Sequence, residues 1–229
     1  NRFTYMSGNP DLKPETIHDL TLSGSYKWLQ FMISYQREKD AILYITKQYE
    51  KNPAITTVTH RNFNRIDNFS AFLTASPAVG SWHPQLTVGV QKQWAKIEHN
   101  GETLQMDTPL FFCTLNNGIQ LPYHWTLSTD INFQSKGDYQ NIYMYQNVFM
   151  MNATLTKSFL NEHLSIHLQG IDLTHGRKDG NRIYNKHMNM DVANVSDSRE
   201  LRFTIRYKFN TAKSKYKGKG AATEEIKRL

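Results

Sequence analysis

The chain has 229 residues, 39% of them hydrophobic, with a mean hydropathy of −0.61 and a net charge of +7. No run approaches the roughly 18 consecutive apolar residues of a membrane-crossing helix, so helical spans are excluded; spanning strands, which expose only alternate residues to lipid, are not. The single cysteine, Cys113, excludes an intramolecular disulfide, and the positive excess gathers in Lys213, Lys215, Lys217, Lys219, Lys227 and Arg228, which argues for a charged tail and against a folded nucleic-acid face.

The chain begins in mid-pattern at Asn1 without a signal peptide, and reads as the C-terminal part of something longer. Residues 8–15, G-N-P-D-L-K-P-E, read as a loop, because two prolines withhold backbone donors and restrict the residues before them. A first strand follows from Thr16, with Leu20, Leu22, Gly24, Tyr26 and Trp28 on one face and Asp19, Thr21, Ser23, Ser25 and Lys27 on the other. A turn at Leu29 and Gln30 leads to a second strand through Phe31, Ile33 and Tyr35. Its pattern weakens over residues 36–40, as at a bulge, and resumes over 41–45. Residues 48–64 are polar and aperiodic and read as a long loop.

The third strand spans residues 65–77, with Phe69, Ala71, Leu73 and Ala75 aligned. The fourth carries Leu86, Val88 and Val90 and ends in the hairpin signal Asn100-Gly101. The fifth runs to Leu121 through Phe111, Cys113, Leu115 and Ile119. The sixth alternates Trp125, Leu127, Thr129, Ile131 and Phe133 against Thr126, Ser128, Asp130, Asn132 and Gln134. Residues 140–158 read as the seventh, and Leu164, Ile166 and Leu168 mark the eighth, whose parity slips after Gly170. Residues 174–198 read as a long polar connection. In the ninth, Glu200–Phe209, Leu201, Phe203, Ile205, Tyr207 and Phe209 share one parity, while Arg202, Thr204, Arg206 and Lys208 share the other.

The reading is an all-β, antiparallel, up-and-down transmembrane barrel, with apolar faces on lipid and polar faces on a wet interior. Many of the strands have 10 to 14 residues. At about 3.3 Å per residue and a tilt of about 40°, twelve residues rise about 30 Å, the thickness of the bilayer core. Short connections mostly alternate with longer ones, as periplasmic turns alternate with extracellular loops. Nine strands leave two open edges, which lipid does not tolerate, so the missing strands are expected upstream.

G-N-P-D-L-K-P-E with the strand T-I-H-D-L-T-L-S-G-S-Y, the ending D-S-R-E-L-R-F-T-I-R-Y-K-F-N at 197–210, and the basic tail resemble the C-terminal barrel portion of Bacteroidetes-type TonB-dependent outer-membrane receptors. The resemblance implies a 22-stranded barrel of which residues 1–210 supply the last nine strands, with 211–229 a disordered periplasmic tail. It implies uptake of a scarce nutrient such as a siderophore, cobalamin or glycan. It implies as partners outer-membrane lipid, the TonB complex acting through an upstream plug, the barrel-assembly machinery and, as a further candidate, a surface lipoprotein; it implies no nucleic acid, no cofactor and no enzymatic activity. Leu201, Phe203, Ile205, Tyr207 and Phe209 become the lipid-facing row and assembly signal of the last strand, although twenty residues follow Phe209 where such signals often end the chain.

The chemistry of catalysis is sparse. No G-x-S-x-G, H-E-x-x-H, P-loop or G-x-G-x-x-G occurs. His163 and His167 are four apart, but on a strand one falls in a turn and the other on the polar face, without a third ligand. Trp28, Trp82, Trp94, Trp125 and Tyr123 lie near strand ends, as interface aromatics do. Two alternatives stay open: a porin or adhesin-type barrel without TonB coupling, and a soluble β-sandwich binding module.

Overall fold

The computed structural model describes residues 4–186, 188–195 and 197–209. Among these there is no helix. Nine strands follow one another as sheet neighbours: β2 (Thr16–Tyr26), β3 (Leu29–Tyr49), β4 (Asn52–Ala75), β5 (Trp82–His99), β7 (Leu110–Leu121), β8 (Trp125–Gln134), β11 (Val148–Phe159), β12 (Leu164–Ile171) and β15 (Glu200–Tyr207). Every pair along this path is antiparallel. Short β1 (Thr4–Met6) lies parallel to β4, and β6 (Glu102–Met106) closes a hairpin on β5. The meander of nine matches the sequence reading; its edges, β2 and β15, stay open.

Register makes one face continuous. Leu22 pairs with Ile33, Ile33 with Ala71, Ala71 with Val90 and Val90 with Phe111. Further along, Leu115 pairs with Ile131, Leu127 with Leu155, Leu155 with Leu168 and Leu168 with Phe203. The opposite face runs through Thr21–Ser34–Ser70, Thr87–Thr114–Asn132 and Thr154–Gln169–Arg202. A one-residue slip at any pair would break both faces, so the period-two pattern fixes the register. Phe72 is an exception on the polar face; its ring lies over Gly89, 2.2 Å from where a Cβ would stand, so only glycine fits there.

The two ends of the sheet differ. One end holds the turns at 27–28, 76–81, 122–124 and 160–163; the other holds the longer connections. The first turn falls at Lys27-Trp28, two residues before the expected Leu29–Gln30, with Lys27 at φ 53°. The Asn100-Gly101 turn is as expected, both residues having positive φ, 50° and 82°.

Three expectations are corrected. Residues 48–64 are not a loop: β3 and β4 stay paired from Leu29↔Ala75 to Gln48↔Thr56, turning only at Glu50-Lys51. The hydrophobic period fails there because the hairpin outruns any bilayer. The 24 residues of β4, at about 3.3 Å each and about 40° of tilt, rise about 60 Å, roughly twice the hydrocarbon core. Residues 140–158 are not one strand, and 174–198 are not a bare connection. β9 (Gly137–Tyr139), β10 (Ile142–Met144), β13 (Lys178–Tyr184) and β14 (Asn189–Val195) form a second antiparallel sheet. The parity slip after Gly170 is the strand end itself: Asp172 takes φ 46°, and Leu173 folds back onto Gly170.

At Asp40, φ 54°, the faces exchange. The register is kept, Lys39↔Arg65 giving way to Ala41↔Phe63. Yet Phe31 and Ile33 are 43% and 42% exposed, whereas Ala41 and Leu43 are 0% and 1%. The left-handed residue turns the strand over, so the bulge expected over 36–40 is an inversion of facing without a register shift.

Candidate functional site

The expected last-strand row is exposed: Leu201 76%, Phe203 63%, Ile205 61%, Tyr207 49% and Phe209 82%. Phe209 lies beyond the strand, its ring 4.7 Å from that of Tyr207. No described element covers this row or the apolar face it continues, where Leu20, Leu22, Leu73 and Phe149 are also exposed. Polar groups on that face satisfy one another: Asn117 Nδ2 donates to Thr129 Oγ1 at 3.0 Å, and Trp82 Nε1 donates to Asn117 Oδ1 at 3.1 Å.

The polar face is a ladder of small hydrogen-bonding side chains. Thr74 meets Thr87 at 2.9 Å, Thr114 donates to Asn132 at 3.1 Å, and His167 lies 3.0 Å from Thr156 and 2.9 Å from Ser165. His163 is in the 160–163 turn facing the Lys208 carbonyl, so the two histidines do not converge. Among the described residues, no three His, Cys, Asp or Glu side chains cluster as a metal site would.

At the long-connection end the second sheet docks on the polar side. It is held there by buried amides that imitate backbone pairing. Gln93 Nε2 donates to the Gln140 carbonyl at 2.8 Å, and the Gln140 amide returns a bond to Gln93 Oε1 at 2.6 Å. Asn141 Nδ2 donates to the carbonyls of Tyr44 (2.8 Å) and Tyr184 (3.1 Å). The Thr46 amide donates to Asn185 Oδ1 at 2.9 Å, and Asn185 Nδ2 donates back to Thr46 Oγ1. Gln93 shares its side with Asn68 and Gln36, which carry on the polar ladder, so the second sheet folds over that ladder's mouth. Beneath it Ala41, Leu43, Ile66, Ala95, Ile97 and Met106 form a small core, flanked by Tyr143 and Tyr184.

Charge is built into this lid. Asp138 is buried, and burial pushes its carboxyl above the usual range, although the Thr108 amide donates to it at 2.8 Å. Burial would raise Asp172 too, but Ser198, the amides of Gly176 and Arg177, and Thr174 outweigh it and hold the carboxyl below the usual range. Arg182 forks onto Asp191 at 2.7 and 2.9 Å. His175 Nδ1 is buried without a partner.

Above the last β4–β5 pair, Ile66↔Ala95, the β3–β4 and β5–β6 hairpins part. The gap is a cavity of about 680 Å³ lined by Lys47, Arg61, Phe63, Lys96 and Lys186 among others, with Lys186 bound to Glu98 at 2.9 Å. The segment 7–15 passes from the β4 edge to the β3 edge, strapping the long hairpin. Asn62 exchanges bonds with the backbone of Lys13 at 2.8 and 2.9 Å, and Asn9 donates to the His60 carbonyl at 3.0 Å. A second cavity, about 550 Å³, opens beside the strap and includes His60. His60 stacks on Tyr44, His99 meets the Asn185 carbonyl, and His187 lies outside the described residues, as does the 211–229 tail.

The docked sheet escaped sequence reasoning. Its strands have three to seven residues, too short for a period.

The model of the outer membrane protein beta-barrel family matches residues 1–207. Among solved structures, the outer membrane transporter YddB from Escherichia coli is similar, with a TM-score of 0.47 and 12% sequence identity over 88% of this chain and 33% of that one. The chain therefore spans about a third of that transporter's length. No curated protein sequence matches.

Proposed function

The chain belongs to the outer membrane protein beta-barrel family, and on that premise we propose that it is the C-terminal wall of a Bacteroidetes-type TonB-dependent receptor that takes up a scarce nutrient. The observation that carries the reading is the pairing of an uncovered apolar face, continuous over nine strands, with a polar face whose mouth is closed by a docked sheet. An uncovered apolar belt of this extent is stable only in lipid. A lid on the polar side suits selective capture better than open diffusion. The short-turn end is then periplasmic and the docked sheet extracellular.

In this reading the barrel closes with strands upstream, to 22 in all, and a plug supplied by the same protein answers to TonB. The barrel-assembly machinery inserts it, and a surface lipoprotein is a candidate partner at the mouth. The chain binds and admits; it does not catalyse. The lid cavity, with Lys47 and Arg61 on its wall, favours an anionic cargo.

The test uses the full-length protein. It is expected to be captured by the periplasmic domain of TonB and to show no steady conductance in a planar bilayer. A steady open conductance without TonB capture would establish the porin reading in its place.

A further inference from the structure

The apolar face ends upward in two basic rungs. One runs His18, Arg37, Asp67, Trp94 across four strands. The next runs Thr16, Lys39, Arg65, followed by Lys96, one residue past the last β4–β5 pair and opposite Gln105. Just below, Lys92 pairs with Phe69, its ammonium 5.4 Å from the Trp94 ring centroid. Under these lie Leu20, Tyr35, Leu22 and Ile33, all exposed. Lys39, Arg65 and Lys96 are exposed as well.

Asp67 is the acid within these rungs, and it is committed. It takes Arg37 Nε at 2.8 Å, Arg65 Nε at 2.6 Å and the Tyr35 hydroxyl at 2.7 Å. Arg65 Nη2 also binds it at 2.6 Å, while Arg37 Nη2 donates to Tyr35 Oη at 3.0 Å. The nearby Asp107 accepts from Gln105. The clamp therefore fixes two guanidinium planes and leaves their Nη1 groups for another acceptor. Fixed arginines beside lysines, directly above a lipid-covered belt, match the phosphates of a lipid headgroup in charge and in donor geometry.

We propose that this patch binds the phosphate groups of the phosphorylated glycolipid, lipopolysaccharide, that forms the outer leaflet of the outer membrane. The inference rests on the reading above, that the apolar face meets lipid and the short turns are periplasmic. Arg37 and Arg65 grip phosphate through Nη1; Lys39, Lys92 and Lys96 add charge; Trp94 packs at the boundary between acyl chain and sugar.

The experiment compares full-length wild-type protein with the variant K39Q/R65Q/K96Q, which leaves Arg37 and Tyr35 on Asp67. Both are titrated with detergent micelles doped with lipid A or with dephosphorylated lipid A. Each lost cation is expected to weaken lipid A binding about fivefold, roughly a hundredfold for all three. A control variant, K27Q/K157Q, removes two cations at the short-turn end and should bind as wild type does. Dephosphorylation should abolish the preference of the wild type. Equal lipid A binding by a folded, heat-modifiable triple variant would overturn the proposal. If that variant fails to fold, a wild type indifferent to the lipid phosphates overturns it equally. Wild-type protein that does not partition into the membrane would overturn the barrel reading and this site together; membrane-embedded wild type that ignores phosphate overturns this site alone.

Discussion

Asp172 shows how much one side chain does at the edge of a membrane sheet. Fully buried, it accepts from the Gly176 amide at 2.8 Å, the Arg177 amide at 3.2 Å and the hydroxyls of Thr174 and Ser198. It thereby ties the start of the excursion after β12 to the residues just before β15. Asp172→Asn would place an NH2 against these donors and is expected to cost about 1–3 kcal/mol of local stability, read as faster proteolysis between 172 and 199. Because its native pKa is depressed, its stabilisation is present above the ordinary carboxylate range, near 4, and is lost as pH falls through the lower native value. Wild type should lose protection of this segment only in acid, and the Asn variant should show no such acid step. On the strands the residue-scale test is facing. Ile131→Arg and Ile205→Arg put charge on the apolar face and should block membrane assembly at about 2–4 kcal/mol each, whereas Ser128→Arg and Thr204→Arg on the polar face should be far milder. Equal sensitivity of both faces in a heat-modifiability gel would refute the facing.

Among the elements, the long β3–β4 hairpin explains what the sequence could and could not reveal. Within the bilayer one face is dry and the other wet, so Leu29 to Tyr35 and Phe69 to Ala75 alternate and were legible. Beyond it, both faces of the hairpin tip meet water or polar neighbours, the alternation has no cause, and a regular strand looks like a loop. Asp40 adds a reversal of facing that no count of parity can anticipate, since aspartate tolerates a positive φ without announcing one. The lid was hidden for another reason: it is held by Gln93, Asn141 and Asn185, amides whose partners are 43 to 139 residues away. Such residues look like ordinary surface polarity until the chain is folded. Replacing Gln93 and Asn185 together by alanine is expected to release the second sheet, because each leaves buried backbone groups unpaired, at about 1–3 kcal/mol apiece. The measurement is hydrogen exchange: amides of 137–144 and 178–186 should lose protection while those of 125–134 and 200–207 keep it. Uniform loss across both groups would mean that the lid and the wall are one cooperative unit.

At the scale of the whole molecule, the nine strands form a wall with two raw edges. Among the described residues, β2 pairs with β3 alone, and β15 with β12 alone. Each edge presents a row of backbone donors and acceptors along eight to eleven residues. In water such groups are solvated; in hydrocarbon every unpaired one costs several kcal/mol. The edge strands also carry broadly exposed apolar side chains, with Leu20, Leu22, Leu201, Phe203 and Ile205 all more than 60% exposed, so retreat into water is closed to them as well. Neither solvent suits the wall by itself, and closure by further strands resolves the conflict on both edges at once. Residues 1–229 expressed alone should therefore aggregate or pair edge to edge, and should show no heat-modifiable monomer after refolding into detergent. The full-length protein refolded in the same way should show one. A heat-modifiable monomer from the 229 residues alone would mean that the two edges can find each other, and that a nine-stranded barrel, not a larger one, is what this sequence encodes.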